Sequence, residues 1–276
     1  MAITASDVNK LRQQTGAGMM DCKNALVEAN GDFEAAIDIL RKKGQKVAAK
    51  RGENETKEGY VLAQVNADNS KGIVFAFNCE TDFVAKNDGY RVLVESIMKV
   101  AMDNGAASAE ELLAMNYDDK LTVAEKITEQ IGVIGEKLEI TGYANINGTS
   151  VIAYNHPGNQ LATLIAVNQA GEEAIEAGRQ VAMQVAAMNP IALDKDGVDA
   201  RTIEREIEVG KELAIQEGKP AEMAEKIAQG RLNKFFKENT LLSQEFIRDN
   251  KLTVEQFLDS TIKGMTVTSF VRTALS

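Results

Sequence analysis

Over the first fifty positions, apolar residues recur at helical spacing in three short runs. Thr4 and Asp7 make a capping box, Val8 and Leu11 share a face, and Gly16 ends the run, which predicts a helix over residues 5–15. A second run over residues 19–29 stops at Asn30-Gly31. Asp32 then caps a third, in which Phe33, Ala36, Ile37 and Leu40 fall at i, i+3, i+4 and i+7 before Gly44. Arg41, Lys42, Lys43, Lys46, Lys50 and Arg51 follow with no acid among them, up to Gly52-Glu53-Asn54-Glu55. This basic stretch reads as a solvated helix end and linker.

From Gly59 the period changes to two. Residues 60–66 and 73–79 are rich in β-formers and flank the turn-forming Asp68-Asn69-Ser70-Lys71-Gly72, which predicts a hairpin. Tyr90, Leu93, Val94, Ile97 and Ala101 mark a helical stripe, and the boxes Ser108/Glu111 and Thr122/Glu125 open two further helices. Residues 138–146, an Asn147-Gly148 turn and residues 149–155 predict a second hairpin, since both turn positions accept positive φ. Residues 161–168 add a strand and residues 175–188 a helix stopped by Pro190. The plan of hairpin, loop and helix thus begins at Gly59-Tyr60 and again at Gly142-Tyr143, as expected of a duplicated core.

Residues 199–217 and 220–238 form two charged helices joined at Gly218-Lys219-Pro220, with proline at a first helical position. Ile203, Ile207, Leu213 and Ile215 are expected to face Met223, Ile227 and Leu232, leaving little to bind this antiparallel hairpin to a body, so it should protrude as a contact arm. Residues 246–262 look helical in part, and 266–273 alternate like a closing strand. The class expected is α+β with antiparallel sheets. Its parts are a three-helix domain with a basic linker over residues 1–52, a first core half over 53–137, and a second over 138–276 with the hairpin 199–238 inserted.

Composition removes several functions. Hydrophobic residues make up 44% of the 276 positions and charged residues 26%, an ordinary globular balance. The net charge of −10 opposes general attraction to phosphate backbones or anionic lipid, so neither nucleic acid nor membrane is an expected partner. Residues 1–25 hold charges and no apolar run, and no segment reads as a span; a reducing cytoplasm is expected. Cys22, Cys79 and His156 are the only soft ligands, too few for a closed zinc site, so no metal is expected. His156 sits in the strand-ending turn Asn155-His156-Pro157-Gly158-Asn159, where a surface histidine is ordinary. Gly16-Ala17-Gly18 has Asp21 where a dinucleotide fingerprint needs a third glycine, and it follows a helix where that motif needs a strand. No enzyme and no cofactor is expected.

Two segments stay unexplained. Met19-Met20 lies beside a glycine turn at a helix start, as either a packed pair in a tiny core or adaptable contact surface. Phe83, within Thr81-Asp82-Phe83-Val84-Ala85-Lys86-Asn87, lies outside either period, as either a core plug from a loop or a side chain presented to a partner. Together, Thr15-Gly16-Ala17-Gly18-Met19-Met20-Asp21-Cys22-Lys23 and Asn78-Cys79-Glu80-Thr81-Asp82-Phe83-Val84-Ala85-Lys86-Asn87 closely resemble the bacterial elongation factor Ts family, and the resemblance runs from Met1 to about Arg272.

That resemblance implies a guanine nucleotide exchange factor that binds elongation factor Tu, GDP-bound and nucleotide-free, and releases GDP without covalent chemistry. It implies a UBA-like three-helix domain, a two-part α+β core and a protruding coiled coil. It also implies that Asp82 and Phe83, framed by Thr81 and Val84, are the wedge that disturbs the partner's magnesium and phosphate contacts. Arg12, Met19, Met20 and Lys23 would make the N-terminal contact, and His156 the contact of the second core half. Many members continue past the last strand into a further helical module, whereas this sequence ends at Ser276, so contacts of that module are expected to be absent. The competing readings are a coiled-coil adaptor that forms a homodimer through residues 199–238, and a hydrolase using His156 or Cys79.

Overall fold

The computed structural model describes residues 3–275. The chain opens with α1 (Ala5–Thr15), α2 (Met19–Glu28) and α3 (Phe33–Arg51). The Thr4/Asp7 box and the Asp32 cap form as the sequence predicts, and Gly16 closes α1 at φ 71°. Leu11, Cys22, Ala25, Leu26 and Ala36 make a small core of their own.

The next elements are β1 (Glu58–Val65), β2 (Lys71–Cys79), the single turn α4 (Asp82–Ala85), α5 (Asp88–Asn104), α6 (Ala109–Ala114), α7 (Val123–Ile134) and β3 (Glu139–Asn147). Here α3 departs from expectation: it runs 19 residues through the basic stretch, so residues 41–51 are helix and not linker. Gly44 is a packing position, because a Cβ there would lie 2.7 Å from the Thr128 carbonyl oxygen, and one on Gly132 would lie 2.7 Å from Gly44 Cα. Two glycines let α3 and α7 cross backbone to backbone, while Val47 and Ala48 beyond the crossing pack on the core of the first sheet.

The remaining elements are β4 (Ser150–Asn155), β5 (Leu161–Val167), α8 (Glu172–Met188), α9 (Ala200–Gln216), α10 (Ala221–Asn239), β6 (Glu245–Phe246), β7 (Asp249–Thr253), α11 (Val254–Thr261) and β8 (Val267–Ala274). Two antiparallel three-stranded sheets result, ordered β1-β2-β3 and β4-β5-β8. The hairpin expected at Asn147-Gly148 does not form. β3 pairs with β2, from Lys71 opposite Asn147 to Asn78 opposite Glu139, and β4 pairs with β5. Neither Asn147 nor Gly148 takes the positive φ that a type I′ turn requires. Gly148 answers a different need, since a Cβ there would sit 2.7 Å from Ala166 Cβ where the chain crosses between sheets. The duplication therefore reads β1-β2-β3 against β4-β5-β8, and the strand placed at the head of the second half belongs to the first sheet.

Alternation sorts the strand residues into layers. Ile73, Phe75 and Phe77 of β2 face α5 and α7, whereas Val74 and Ala76 face Leu164 and Ala166 of the second sheet. On β5 the other face, with Ile165 and Val167, packs on α8 and α11. The order is helices, sheet, sheet, helices. The short β6–β7 ladder occupies part of the stretch expected to begin a helix, and the Thr253/Gln256 capping box delays that helix to Val254.

α9 and α10 form the expected antiparallel arm, with a different seam. Ala214, Ala224, Ala228 and Leu232 are buried, and a Cβ on Gly210 would lie 3.1 Å from Ala228 Cα. Small residues bring the helices so close that Leu213, Ile215 and Met223 turn outward into solvent. No helix among the described residues is long and apolar enough to cross a membrane.

The α3–α7 crossing gives a signed test. In an unencumbered helix interior, Gly132→Ala would stabilise by about 1 kcal/mol. Against the Gly44 backbone it overpacks, costing about 1–3 kcal/mol net, so Tm should fall by about 2–12 °C in a thermal melt. A rise in Tm would mean the helices part at no cost.

Candidate functional site

β2 leaves its sheet at Cys79, and the next residues are held by two carboxylates, Glu136 from elsewhere in the chain and Glu80 of the segment itself. Thr81 caps the one-turn α4, its side chain accepting from the Val84 amide. Glu136, in the connection from α7 to β3, accepts at Oε2 from the Glu80 amide (3.1 Å) and the Thr81 amide (3.0 Å), and at Oε1 from the Thr81 hydroxyl (2.6 Å). Glu80 itself accepts both bonds of the Arg51 guanidinium at the end of α3 (3.0 and 2.8 Å), one from Asn54 (2.9 Å) and one from the Lys137 amide (2.6 Å). Burial alone would raise the Glu80 carboxyl; the Lys137 amide, Asn54 and Arg51 outweigh it and hold the group below its ordinary value.

On this turn Phe83 is 83% exposed. Phe83 is not a core plug: the ring stands in water while Val84 and Ala85 pack on the first core. Lys86 donates to Asp82 at 2.6 Å, and this bond holds the Asp82 carboxyl below the usual range and raises the ammonium.

In the three-helix module Cys22, Ala25 and Leu26 point inward, so both methionines lie outside, Met19 at 57% and Met20 at 62% exposure. Met20, Lys23 and Val27 follow at i, i+3 and i+7 along one exposed stripe. Val27 escaped the sequence reading because a valine in a helical run reads as core. Arg12 is exposed in the last turn of α1.

His156 is exposed in the β4–β5 turn, its Nδ1 paired with the Tyr154 hydroxyl at 2.9 Å. That turn is bonded to the free edge of β1. The Asn155 amide brackets Ala63, accepting from its N–H at 2.8 Å and donating to its carbonyl at 3.0 Å, and the Val61 amide donates to the Asn159 carbonyl at 2.7 Å. A cavity of about 420 Å³ is lined by Asp82, Lys86 and Arg91 on one side and Gly158, Asn159 and Gln160 on the other. The Phe83 turn and the His156 turn thus border one cavity, although His156 does not line it. Arg12, Met19, Met20 and Lys23 sit apart, joined to the Phe83 turn through α3 and through α7, whose Val133 packs on their core.

Cys79 donates to the Thr81 carbonyl at 3.2 Å, and burial pushes its thiol up to about 11, the opposite of an activated nucleophile. Its partner is Thr81 and not His156, so the two do not form a catalytic pair. Among the described residues no three His, Cys, Asp or Glu side chains are grouped to hold a metal ion. What the surface offers is shape: a fixed aromatic, an apolar stripe with a cation beside it, and a polar turn.

The family model for elongation factor TS matches residues 80–276. The chain is similar to the elongation factor Ts of Cytophaga hutchinsonii, 55% identical over 275 residues and covering 99% of each chain. It is 53% identical over 273 residues to that of Amoebophilus asiaticus, covering 99% of this chain and 98% of the relative. With that of Porphyromonas gingivalis it shares 51% identity over 276 residues, 100% of this chain and 99% of the relative.

The Glu80 clamp predicts a pH dependence. A carboxylate held below its ordinary value of 4.5 contributes stability above that pH and loses it as pH falls through the lower folded value. Glu80→Gln should therefore lower Tm at pH 7, by the equivalent of about 1–3 kcal/mol, and the gap to the parent should narrow as pH falls below 4.5. A gap independent of pH would show that the charge contributes nothing.

Proposed function

The chain belongs to the elongation factor Ts family, and from that premise we propose that it binds elongation factor Tu and accelerates release of its GDP, so that GTP loads. The reading is carried by Phe83: a large apolar ring held almost wholly in water by a turn with four polar anchors is built to be buried by something else. Burying that ring contributes about 2–3 kcal/mol.

The partner-facing residues divide by element. Met19 and Met20 offer adaptable apolar surface, extended by Val27, with Lys23 and Arg12 as cations beside it, and the three-helix module makes this grip. Thr81, Asp82, Phe83 and Val84 form the wedge, and His156 touches a second part of the partner from the other core half. The partner's magnesium needs near-octahedral coordination and its phosphate loop needs aligned amides, so shifting a neighbouring helix by a fraction of an ångström weakens both. The wedge displaces structure and need not touch GDP. Coupling of this kind is reciprocal: the factor weakens GDP by the ratio that GDP weakens the factor. No bond is made or broken in this chain. The setting is the cytoplasm, and a second copy of the chain pairs, where it pairs, through residues 199–238.

Stopped-flow release of fluorescent GDP from elongation factor Tu tests the reading. Phe83→Ala should slow release at saturating factor by about tenfold or more, a loss of at least about 1.4 kcal/mol, and should weaken binding to nucleotide-free partner, where the ring is buried, by a comparable factor. Chelating magnesium beforehand should shrink both the acceleration and the Phe83→Ala penalty; equal acceleration with and without the ion would move the target to the phosphate loop. Met20→Ala and Val27→Ala should weaken binding while leaving the maximal release rate intact. Replacing residues 200–232 with a short glycine bridge should spare release and abolish any self-association seen in sedimentation. A chain that binds without accelerating release would be an adaptor.

A further inference from the structure

The turn that carries Phe83 has almost nothing of its own to hold it. α4 is four residues long with none buried, and a single helical turn is unstable alone. The exposed Asp82–Lys86 pair adds little. The β ladder has also ended: the last pairs opposite β2 are Cys79 with Glu58 and Asn78 with Glu139. Beyond that point the next two donors, the Glu80 and Thr81 amides, both go to one side chain, Glu136.

We infer that Glu136 is a positioning residue for nucleotide exchange: its carboxylate takes the place of the missing strand partner, fixes the Thr81 turn and keeps Phe83 erect when pressed against the partner. This rests on the reading of Phe83 as the wedge. A carboxylate suits the task because both oxygens only accept. Three donors converge on it from Glu80 and Thr81, two at Oε2 and one at Oε1. A carboxamide keeps one accepting oxygen and turns two donors of its own toward the others. Glu136 is held in turn from behind, on a connection that leaves α7 through Gly135 at φ 82°, and the adjacent Lys137 amide bonds Glu80. A wedge transmits force only when its base does not yield, so loosening this base removes the work done on the partner while leaving the contact surface in place.

The experiment is a double-mutant cycle in the full chain, read by stopped-flow release of fluorescent GDP from elongation factor Tu and by affinity for nucleotide-free partner. Glu136→Gln should slow release at saturating factor by about tenfold and change affinity by less than threefold, the split that a general loss of structure would not produce. In a Phe83→Ala background, Glu136→Gln should slow release by less than about twofold, because the base no longer carries a wedge. Full release by Glu136→Gln, or the same tenfold loss with and without Phe83, overturns the inference. If Phe83→Ala itself releases GDP at the parental rate, the wedge reading falls and this inference with it, which distinguishes the two failures. Thr81→Val removes the hydroxyl arm of the clamp together with the Thr81 cap on α4, leaves both amide bonds to Glu136, and serves should Glu136→Gln fail to fold. It should slow release severalfold with the same dependence on Phe83, and a parental rate for it overturns the inference.

Discussion

The structure depends on how closely its two sheets approach. Between them lies a layer built mostly of small residues, Ala63, Ala76, Ala162 and Ala166 with Val61, Val74, Val151 and Leu164, and Gly72 and Gly148 sit where any Cβ would collide across the gap. β2 is consequently covered on both faces, which is why residues 73–77 are continuously apolar where a half-exposed strand would alternate. Close packing makes the two core halves one stiff body, because interdigitated layers deform little. Every presented residue of the core hangs from that body: the Phe83 turn from the end of β2, the His156 turn from β4–β5 and, through Asn155 and Asn159, from the edge of β1.

Stiffness matters to the exchange function proposed above, because exchange by displacement is differential binding. Contacts made equally in the GDP-bound and emptied complexes raise affinity without lowering the barrier to release. The apolar stripe of α2 suits the first role, since methionine adapts to whatever it meets. Phe83 suits the second, since an aromatic ring on a clamped turn does not adapt, and the partner must.

Much of this was legible in the sequence, and what was not has a common cause. Capping boxes at Thr4 and Thr122, the helical stripe of α5 and the strands of the first hairpin are local signals, and the structure agrees with them. Asn147-Gly148 is a strong local signal too, but pairing is decided by distant β2, which offers β3 a continuous ladder. Gly44 looked like a stop because the sequence does not show Gly132 waiting across α7. The arm was read by its large apolar residues, whereas glycine and alanine made the tighter seam and pushed the large ones out. At the site, unusual residues in unusual places stood out: Phe83 outside any period, and paired methionines at a helix start. Glu136 and Val27 were invisible for the opposite reason, an acid in a loop and a valine in a helix being what any sequence offers.

α3 then changes what the N-terminal module is. Read as a short helix and a linker, it would leave residues 1–52 tethered and free to swing. Instead one helix of about 28 Å runs from the small core beside α2 to the wedge. It is gripped in the middle at Gly44 by Gly132 and at its end by the Arg51–Glu80 ion pair. Val133 of α7 packs into the N-terminal cluster while Val47 and Ala48 of α3 pack into that of the first sheet, so each core borrows side chains from the helix of the other. A cut at residue 52 therefore removes part of the core along with the module. With the helix continuous, the distance between the Met20 stripe and Phe83 is fixed by covalent structure and two anchoring contacts. In the exchange proposed above, a partner held by the first would therefore meet the second at one height.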